Sequence, residues 1–248
     1  KQAERNFGRP ALMLSGGGTF GIYHIGVMST LIEQDLLPSV ISGTSMGSIA
    51  AGMLATHSNE ETLALLSRPE KSDYAPLKGK SFKQAWEQQS LLDSKHLLDC
   101  IQNNVGDMSF EEAFQKTGRE VSITISPARL GQKPRILNHQ TAPSVLIAHA
   151  AQASCSIPGL FSPCQLFERS SDGTKKAYMQ EERWYDGSFA TDIPRQRIGR
   201  LYNANYFIVS QANPHIVPFV SQRQKRGLRA LVTDTLVTST FAQGNALL

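Results

Sequence analysis

Ser39–Ala55 reads SVISGTSMGSIAAGMLA. Val40 and Ile41 are apolar and β-branched, as a buried strand requires. Gly43-Thr44-Ser45-Met46-Gly47 follows at once, and then a run of small residues, Ala50, Ala51, Gly52 and Ala55, with helical character. Strand, G-x-S-x-G, helix is the setting of a nucleophile elbow, a sharp turn that holds a serine in a strained backbone conformation. Gly43 and Gly47 remove side chains that would otherwise collide across the turn. A helix that begins after Ser45 aims unpaired N–H groups at charge developing near the serine oxygen. The same pentapeptide also occurs in ordinary strand-to-helix turns, so its meaning depends on the rest of the chain.

Upstream, Pro10–Ser15 (PALMLS) predicts a short buried strand. Gly16-Gly17-Gly18-Thr19-Phe20-Gly21 follows, and then an apolar helix through Ile22, Ile25, Val27, Met28, Leu31 and Ile32 to Asp35. Apolar residues fall on most faces of this helix, which predicts that it is buried. Leu36-Leu37-Pro38 closes it, and the chain returns into the Val40 strand. Such a β–loop–α–β unit implies parallel strands. Gly16, Gly18 and Gly21 fit the dinucleotide-binding pattern G-x-G-x-x-G. That pattern wants an acidic residue after the next strand, and here the next strand ends in the serine elbow instead. Two other readings stand beside it. One is an oxyanion hole, because adjacent parallel strands put Gly16–Gly18 and Ser45 at the same sheet edge. The other is a glycine turn for tight helix packing.

Downstream, the stretch from about Asn59 to Gly118 reads as helical. Thr62, Leu63, Leu65 and Leu66 suggest one helix, and Leu91–Val105 another. Ser109-Phe110-Glu111-Glu112 is a capping box that opens a third, ended by Gly118. Arg68–Ser81 reads as a loop. Glu120–Ser126 (EVSITIS) alternates as a strand should, and Arg135–Asn138 is a second short strand. Ser144–Ser154 is helical, with its N-cap at Thr141 or Ser144, and Ala153–Pro163 is a loop. Gln165–Tyr178 contains Asp172-Gly173, a hairpin turn signal. Trp184-Tyr185 lead into Asp186-Gly187-Ser188. Pro194–Leu201 reads as a helix, Asn205–Gln211 as a strand and Gln222–Leu236 as a basic helix. No linker divides the chain.

The 248 residues suffice for one large α/β domain with a sizeable core. Cys100, Cys155 and Cys164 form no C-x-x-C pair, which argues against a disulfide framework or zinc site and fits a reducing compartment. No apolar run approaches the ~20 residues that span a bilayer, and the first residues carry no signal-peptide pattern. The chain reaches a core strand within about a dozen residues and stops at Ala246-Leu247-Leu248, which reads as a fragment of a longer protein. A net charge of +4 permits an anionic membrane surface as partner without demanding one.

A serine nucleophile needs a group to take its proton. The order Ser45…Asp186…His215 satisfies the α/β-hydrolase triad on paper, although that fold sets its oxyanion glycines and its elbow on strands further apart. His24 and His149 fall in apolar helices and read as packed, hydrogen-bonded residues; His139 and His215 read as solvated loop residues. Asp186 follows Trp184-Tyr185, which can desolvate it, and precedes Gly187, which lets another backbone come close. Desolvation raises the pKa of a carboxylate and makes it a usable general base.

Taken together, the glycine loop, the elbow one helix later and the distal Asp-Gly resemble the patatin-like phospholipase family. Ala153–Pro163 (ASCSIPGLFSP) is similar to that family's A-S-x-x-I-P-x-x-F-x-P block. Asp186–His215 and Ser15–Val27 resemble its triacylglycerol-lipase branch, known from fungi and plants. The resemblance covers most of Ala11–His215. It implies a three-layer α/β/α sandwich on a central, mostly parallel sheet, and a Ser–Asp dyad without histidine. Ser45 is then the nucleophile and Asp186 the base. Gly16, Gly17 and Gly18, with the Met46 N–H, surround the oxyanion, and Gly21, Gly43, Gly47 and Gly187 complete the motifs. Many members carry Arg or Lys just before the last glycine of the loop, where this chain has Phe20. That departure, shared by the lipase branch, leaves neutral lipid and phospholipid both open.

The expectation is therefore a serine acyl hydrolase of lipid esters, with no metal and no cofactor. Its partner would be lipid at a membrane or lipid-droplet surface rather than nucleic acid, with the oligomeric state open and the location cytoplasmic and peripheral. Transacylation, and a catalytically silent lipid-binding module, are the alternatives. Arg223, Lys225, Arg226 and Arg229, interleaved with Leu228, Leu231 and Val232, are the candidate membrane contacts.

Overall fold

Leu12 and Leu14 of β1 (Arg9–Leu14) enter one hydrophobic core, and Ala11 and Met13 between them enter another. A strand buried on both faces belongs to a parallel sheet covered by helices on two sides. The computed structural model describes residues 7–67, 78–81, 90–129, 131–188 and 191–213. By contacts the chain divides into Lys1–Ala212 and Asn213–Leu248; only Asn213 of the second unit is among the described residues.

After β1 come a short 3-10 helix (Gly18–Tyr23), α1 (His24–Glu33), β2 (Val40–Gly43), α2 (Met46–Thr56) and α3 (Asn59–Leu66). Then follow α4 (Ser94–Val105), α5 (Phe110–Thr117), β3 (Glu120–Pro127), β4 (Arg135–Leu137) and α6 (Ile147–Cys155). The hairpin β5 (Leu166–Arg169) and β6 (Lys175–Tyr178) precedes β7 (Trp184–Asp186), α7 (Arg195–Tyr202) and β8 (Ala204–Ser210). The main sheet runs β4-β3-β2-β1-β8, parallel except for β4, and β7 joins it against β3. Helix α7 covers one face through Ile198 and Tyr202. Helices α2, α4, α5 and α6 contribute to the core on the other face through Leu54, Ile101, Ala113 and Ala150. The result is the expected three-layer α/β/α sandwich.

The register places the site. β2 leaves β3 at the pair Gly43–Ile123. Two residues further along β3, Ile125 pairs with Arg135 of β4 on one side and with Asp186 of β7 on the other. β7 therefore takes the place beside β3 that β2 vacates, arriving antiparallel and ending at Asp186. Helix α2, which starts at the end of β2, is almost wholly buried from Gly47 to Thr56. Its small residues let it pass close to its neighbours: a Cβ on Gly52 would sit 3.1 Å from the Val105 side chain.

Several local expectations are met closely. The capping box at Ser109 is formed, with the Ser109 hydroxyl accepting from Glu112 N–H and Glu112 accepting from Ser109 N–H, and Gly118 ends α5 in the left-handed conformation. The Asp172-Gly173 turn joins β5 to β6. Three expectations change. The helix after the glycine loop is neither continuous nor fully buried. Its first turn is 3-10, which rotates Phe20, Ile22 and Tyr23 outward, and α1 buries only the stripe His24, Met28 and Ile32. Helix α6 starts at Ile147, after Leu146 and without a side-chain cap, because neighbouring backbone serves instead: Leu146 N–H donates to Phe167 O at 2.9 Å and Ile147 N–H to Met108 O at 3.0 Å. His139 is not a solvated loop residue; it stacks on Phe114 and its Nδ1 lies 3.2 Å from Glu120 Oε2.

Candidate active site

Ser45 sits between β2 and α2 at φ 52° and ψ −129°. A non-glycine residue there carries a strain of about 1–3 kcal/mol, which the surrounding packing must hold. The two motif glycines show how tight the turn is. A Cβ on Gly43 would lie 2.2 Å from Gly47 O, and one on Gly47 would lie 2.2 Å from Leu14 O. The turn is also tied from outside: Ser45 N–H donates to Ser154 Oγ at 2.9 Å, and that hydroxyl donates to Thr124 O at 2.7 Å. Ser45 is 4% exposed, so its side chain is largely screened from water.

Asp186 ends β7, and its N–H donates to Ser156 O at 2.9 Å. It is 1% exposed and lies on the same strand face as the fully buried Trp184. Gly187 lets the chain pass against β3, where a Cβ would lie 2.5 Å from Thr124 O. The Asp186 carboxyl has one satisfied and one open oxygen. Oδ1 accepts from Ser188 N–H at 2.7 Å, while Oδ2 is buried without a full hydrogen bond. Burial raises the Asp186 pKa above the ordinary carboxylate range. The Ser188 N–H and looser contacts with the Ser45 and Ser188 hydroxyls oppose the rise, and the Asp192 charge adds to it. A desolvated carboxylate in loose contact with a hydroxyl can act as a general base.

The glycine loop lies against the elbow. A Cβ on Gly16 would be 3.1 Å from Ser45 Cβ, and one on Gly21 would be 2.4 Å from Met46 Cβ. Gly16 N–H donates to Asp192 Oδ1 at 2.7 Å. The N–H groups of Gly17, Gly18 and Met46 have no acceptor among the described residues. Unpaired backbone donors on two chain segments beside one serine can receive an oxyanion. The loop is held from behind: Ser15 Oγ donates to Gly16 O at 2.7 Å, and His24 contacts Ser15 O at 2.9 Å and Ser210 Oγ at 2.7 Å.

None of the described histidines joins Ser45. Burial lowers the pKa of His24, whose ring nitrogens are both engaged, and lowers that of His149, packed on Phe167, to about 4. His215 and the candidate membrane contacts Arg223, Lys225, Arg226 and Arg229 lie outside the described residues. Cys100, Cys155 and Cys164 are buried free thiols. Among the described residues no helix is long and apolar enough to cross a membrane.

The family model for patatin-like phospholipase matches residues 12–196. The chain belongs to the patatin-like phospholipase family. As a patatin-like chain it is 42% identical over 236 residues to triacylglycerol lipase 4 of Saccharomyces cerevisiae, covering 89% of this chain and 26% of that protein. It is 39% identical to triacylglycerol lipase ptl3 of Schizosaccharomyces pombe, over 86% of this chain and 47% of that protein. With triacylglycerol lipase SDP1L of Arabidopsis thaliana it shares 36% identity, over 90% of this chain and 30% of that protein. The patatin-like chain thus spans between about a quarter and a half of these relatives' lengths.

Three residues around the patatin-like site were not singled out from sequence. Ser154 lies within the A-S-x-x-I-P block, but its bond to Ser45 N–H crosses between helices. Ser188 sits two residues after Asp186 and satisfies Oδ1. Asp192 reads as one more loop acid, and nothing in its spacing points to Gly16.

Proposed function

We propose that this chain is the catalytic domain of a longer lipid acyl hydrolase that acts on triacylglycerol, phospholipid or both. The observation that carries the proposal is the setting of Ser45: strained and nearly dry, with the buried Asp186 carboxyl in loose contact with it and, on the adjoining loop and helix start, three N–H groups that have no acceptor among the described residues. Ser45 is the nucleophile. As its oxygen attacks the ester carbonyl, Asp186 takes the hydroxyl proton. The carbonyl oxygen becomes an oxyanion stabilised by the Gly17, Gly18 and Met46 N–H groups. Gly16 supports the loop, with its own N–H committed to Asp192. Collapse breaks the ester bond, and Asp186 returns the proton to the departing alcohol oxygen. Water then enters, and Asp186 takes its proton as the water oxygen attacks the acyl carbon. Collapse cleaves the acyl–Ser45 ester while Asp186 returns the proton to the Ser45 oxygen, leaving a fatty acid and free Ser45.

Relatives named triacylglycerol lipases favour neutral glycerolipid, and Phe20 in place of a loop cation agrees with an uncharged head group. Work on such a substrate takes place at a membrane or lipid-droplet surface. The test pairs fluorophosphonate labelling with a substrate panel of triolein, diolein, phosphatidylcholine and lysophospholipid. Labelling of wild type but not Ser45→Ala, with fatty acid released from at least one lipid, is expected. No labelling of the folded wild-type chain would overturn the proposal.

A further inference from the structure

Asp186 and Asp192 lie near the two ends of one short segment between β7 and α7. The near end carries the carboxyl that faces Ser45. The far end bonds to the two other parts of the site, through two different groups of one residue. Asp192 Oδ1 accepts the Gly16 N–H at 2.7 Å, at the start of the glycine loop. The Asp192 backbone oxygen accepts the Thr44 hydroxyl at 2.7 Å, one residue before Ser45. Thr44 N–H in turn donates to Leu14 O at 3.1 Å, so the ends of β1 and β2 close on the same point.

These bonds oppose two tendencies. Gly16-Gly17-Gly18 has no side chains to fix it, and a glycine run left alone samples many conformations. Ser45 is held in a strained turn that relaxes if its flank is released. A carboxylate acceptor makes a stronger, more directional bond to a backbone N–H than a neutral group does. The bond to Gly16 needs an acceptor oxygen at that position, which a side-chain amide can also present.

We propose that Asp192 is a positioning residue for acyl transfer: it holds the glycine loop and the nucleophile elbow in register, so that the free N–H groups and the Ser45 hydroxyl address the same ester carbonyl. This rests on the reading of Ser45 as nucleophile. Asp192 does not touch substrate; it acts through Gly16 and Thr44.

The experiment measures kcat and KM on a short soluble p-nitrophenyl ester, and the rate of fluorophosphonate labelling, for the 248-residue chain. Asp192→Ala removes the acceptor. Its kcat should fall by about 10²-fold, comparable to losing an oxyanion donor, with KM changed little. Asp192→Asn keeps an amide oxygen for Gly16 N–H and should recover most of that loss. Thr44→Val, nearly isosteric, removes the second tie and should lower kcat roughly ten-fold, or about 1.4 kcal/mol, with labelling slowed in parallel. Normal kcat in Asp192→Ala overturns the role, and so does an Asp192→Asn variant as slow as Asp192→Ala. If Asp192→Ala fails to fold, the other two variants decide: normal kcat in Thr44→Val, or a slow Asp192→Asn, overturns it. Ser45→Ala is measured alongside. Activity surviving in Ser45→Ala overturns the nucleophile assignment, whereas an inactive Ser45→Ala beside a normal Asp192→Ala overturns only the positioning role.

Discussion

Ser45 and Asp186 each cost the fold something, and both costs are measurable. Ser45 holds a positive φ. Ser45→Gly should therefore be more stable than Ser45→Ala by about 1 kcal/mol, read as a higher thermal midpoint, with both inactive. Asp186 has a folded pKa raised mainly by burial. A group whose pKa is higher folded than unfolded favours the fold below its unfolded pKa, and that contribution is lost as pH rises through the folded pKa. At neutral pH the Asp186 charge is thus a net cost. Asp186→Asn should abolish turnover and raise the melting temperature at pH 7, with the gain shrinking as pH is lowered. An Asp186→Asn chain that melts below wild type at pH 7 would contradict the raised pKa. Turnover of a soluble ester should fall on acidification with a midpoint above the ordinary aspartate value of about 4, because only ionised Asp186 accepts a proton. His215→Ala should retain most activity if the base is Asp186 alone.

Loops and helix starts show how neighbouring elements brace the site. Ser154 of α6 links the elbow to β3 with one hydroxyl, accepting from Ser45 N–H and donating to Thr124 O. Ser154→Ala leaves a buried donor and a buried acceptor unpaired, which costs about 1–3 kcal/mol. It should also lower kcat on a soluble ester, since Ser45 loses its outside tie. A variant with wild-type stability and turnover would show that the turn holds itself. In the glycine loop, Gly17 and Gly18 should respond differently. A Cβ on Gly17 would lie 2.8 Å from Ala212 O, so Gly17→Ala must move backbone and should cut turnover by about 10²-fold or more. Gly18 has open space around its Cβ position and φ 55°. Gly18→Ala keeps its N–H, should cost about 1 kcal/mol of stability, and should retain most turnover. Equal losses in the two variants would mean that loop stiffness, not the Gly17 backbone path, limits the reaction.

At the scale of the whole molecule, the sheet gathers the site on one edge while helices bury both of its faces. If the chain acts on lipid as proposed, that edge must still meet an insoluble substrate. We propose that the segment carrying Arg223, Lys225, Arg226 and Arg229 assists, since each basic residue near an anionic surface contributes roughly 1 kcal/mol, screened by salt. Changing Arg223, Lys225 and Arg226 to Gln should weaken sedimentation with anionic vesicles strongly at low salt and little at high salt. Turnover of a soluble ester should not change. Equal vesicle binding by wild type and the triple variant at low salt would remove this segment from membrane attachment.

What the sequence determined alone is what short-range rules encode. The strand–G-x-S-x-G–helix unit, the glycine loop after β1, the Ser109 capping box and the Asp172-Gly173 hairpin each depend on residues within a few positions of one another. Steric limits and local hydrogen bonds govern them, so residues close together in the chain are enough to recognise them. The resemblance carried by the glycine loop, the elbow, the Asp186-Gly187 pair and the Ala153–Pro163 block was enough to anticipate the three-layer sandwich and to single out Ser45 and Asp186. The rest needed the tertiary structure. That β7 fills the place β2 leaves beside β3, so that Asp186 comes near Ser45, follows from sheet register, which no local pattern states. The bonds from Ser154 to Ser45 and from Asp192 to Gly16 join residues far apart in the chain, and a serine or aspartate at those positions looks like any other polar residue. The misplaced start of α6 has the same cause: backbone carbonyls of Phe167 and Met108 do the work of a capping side chain. Local chemistry fixes which groups are present; only packing decides which of them meet.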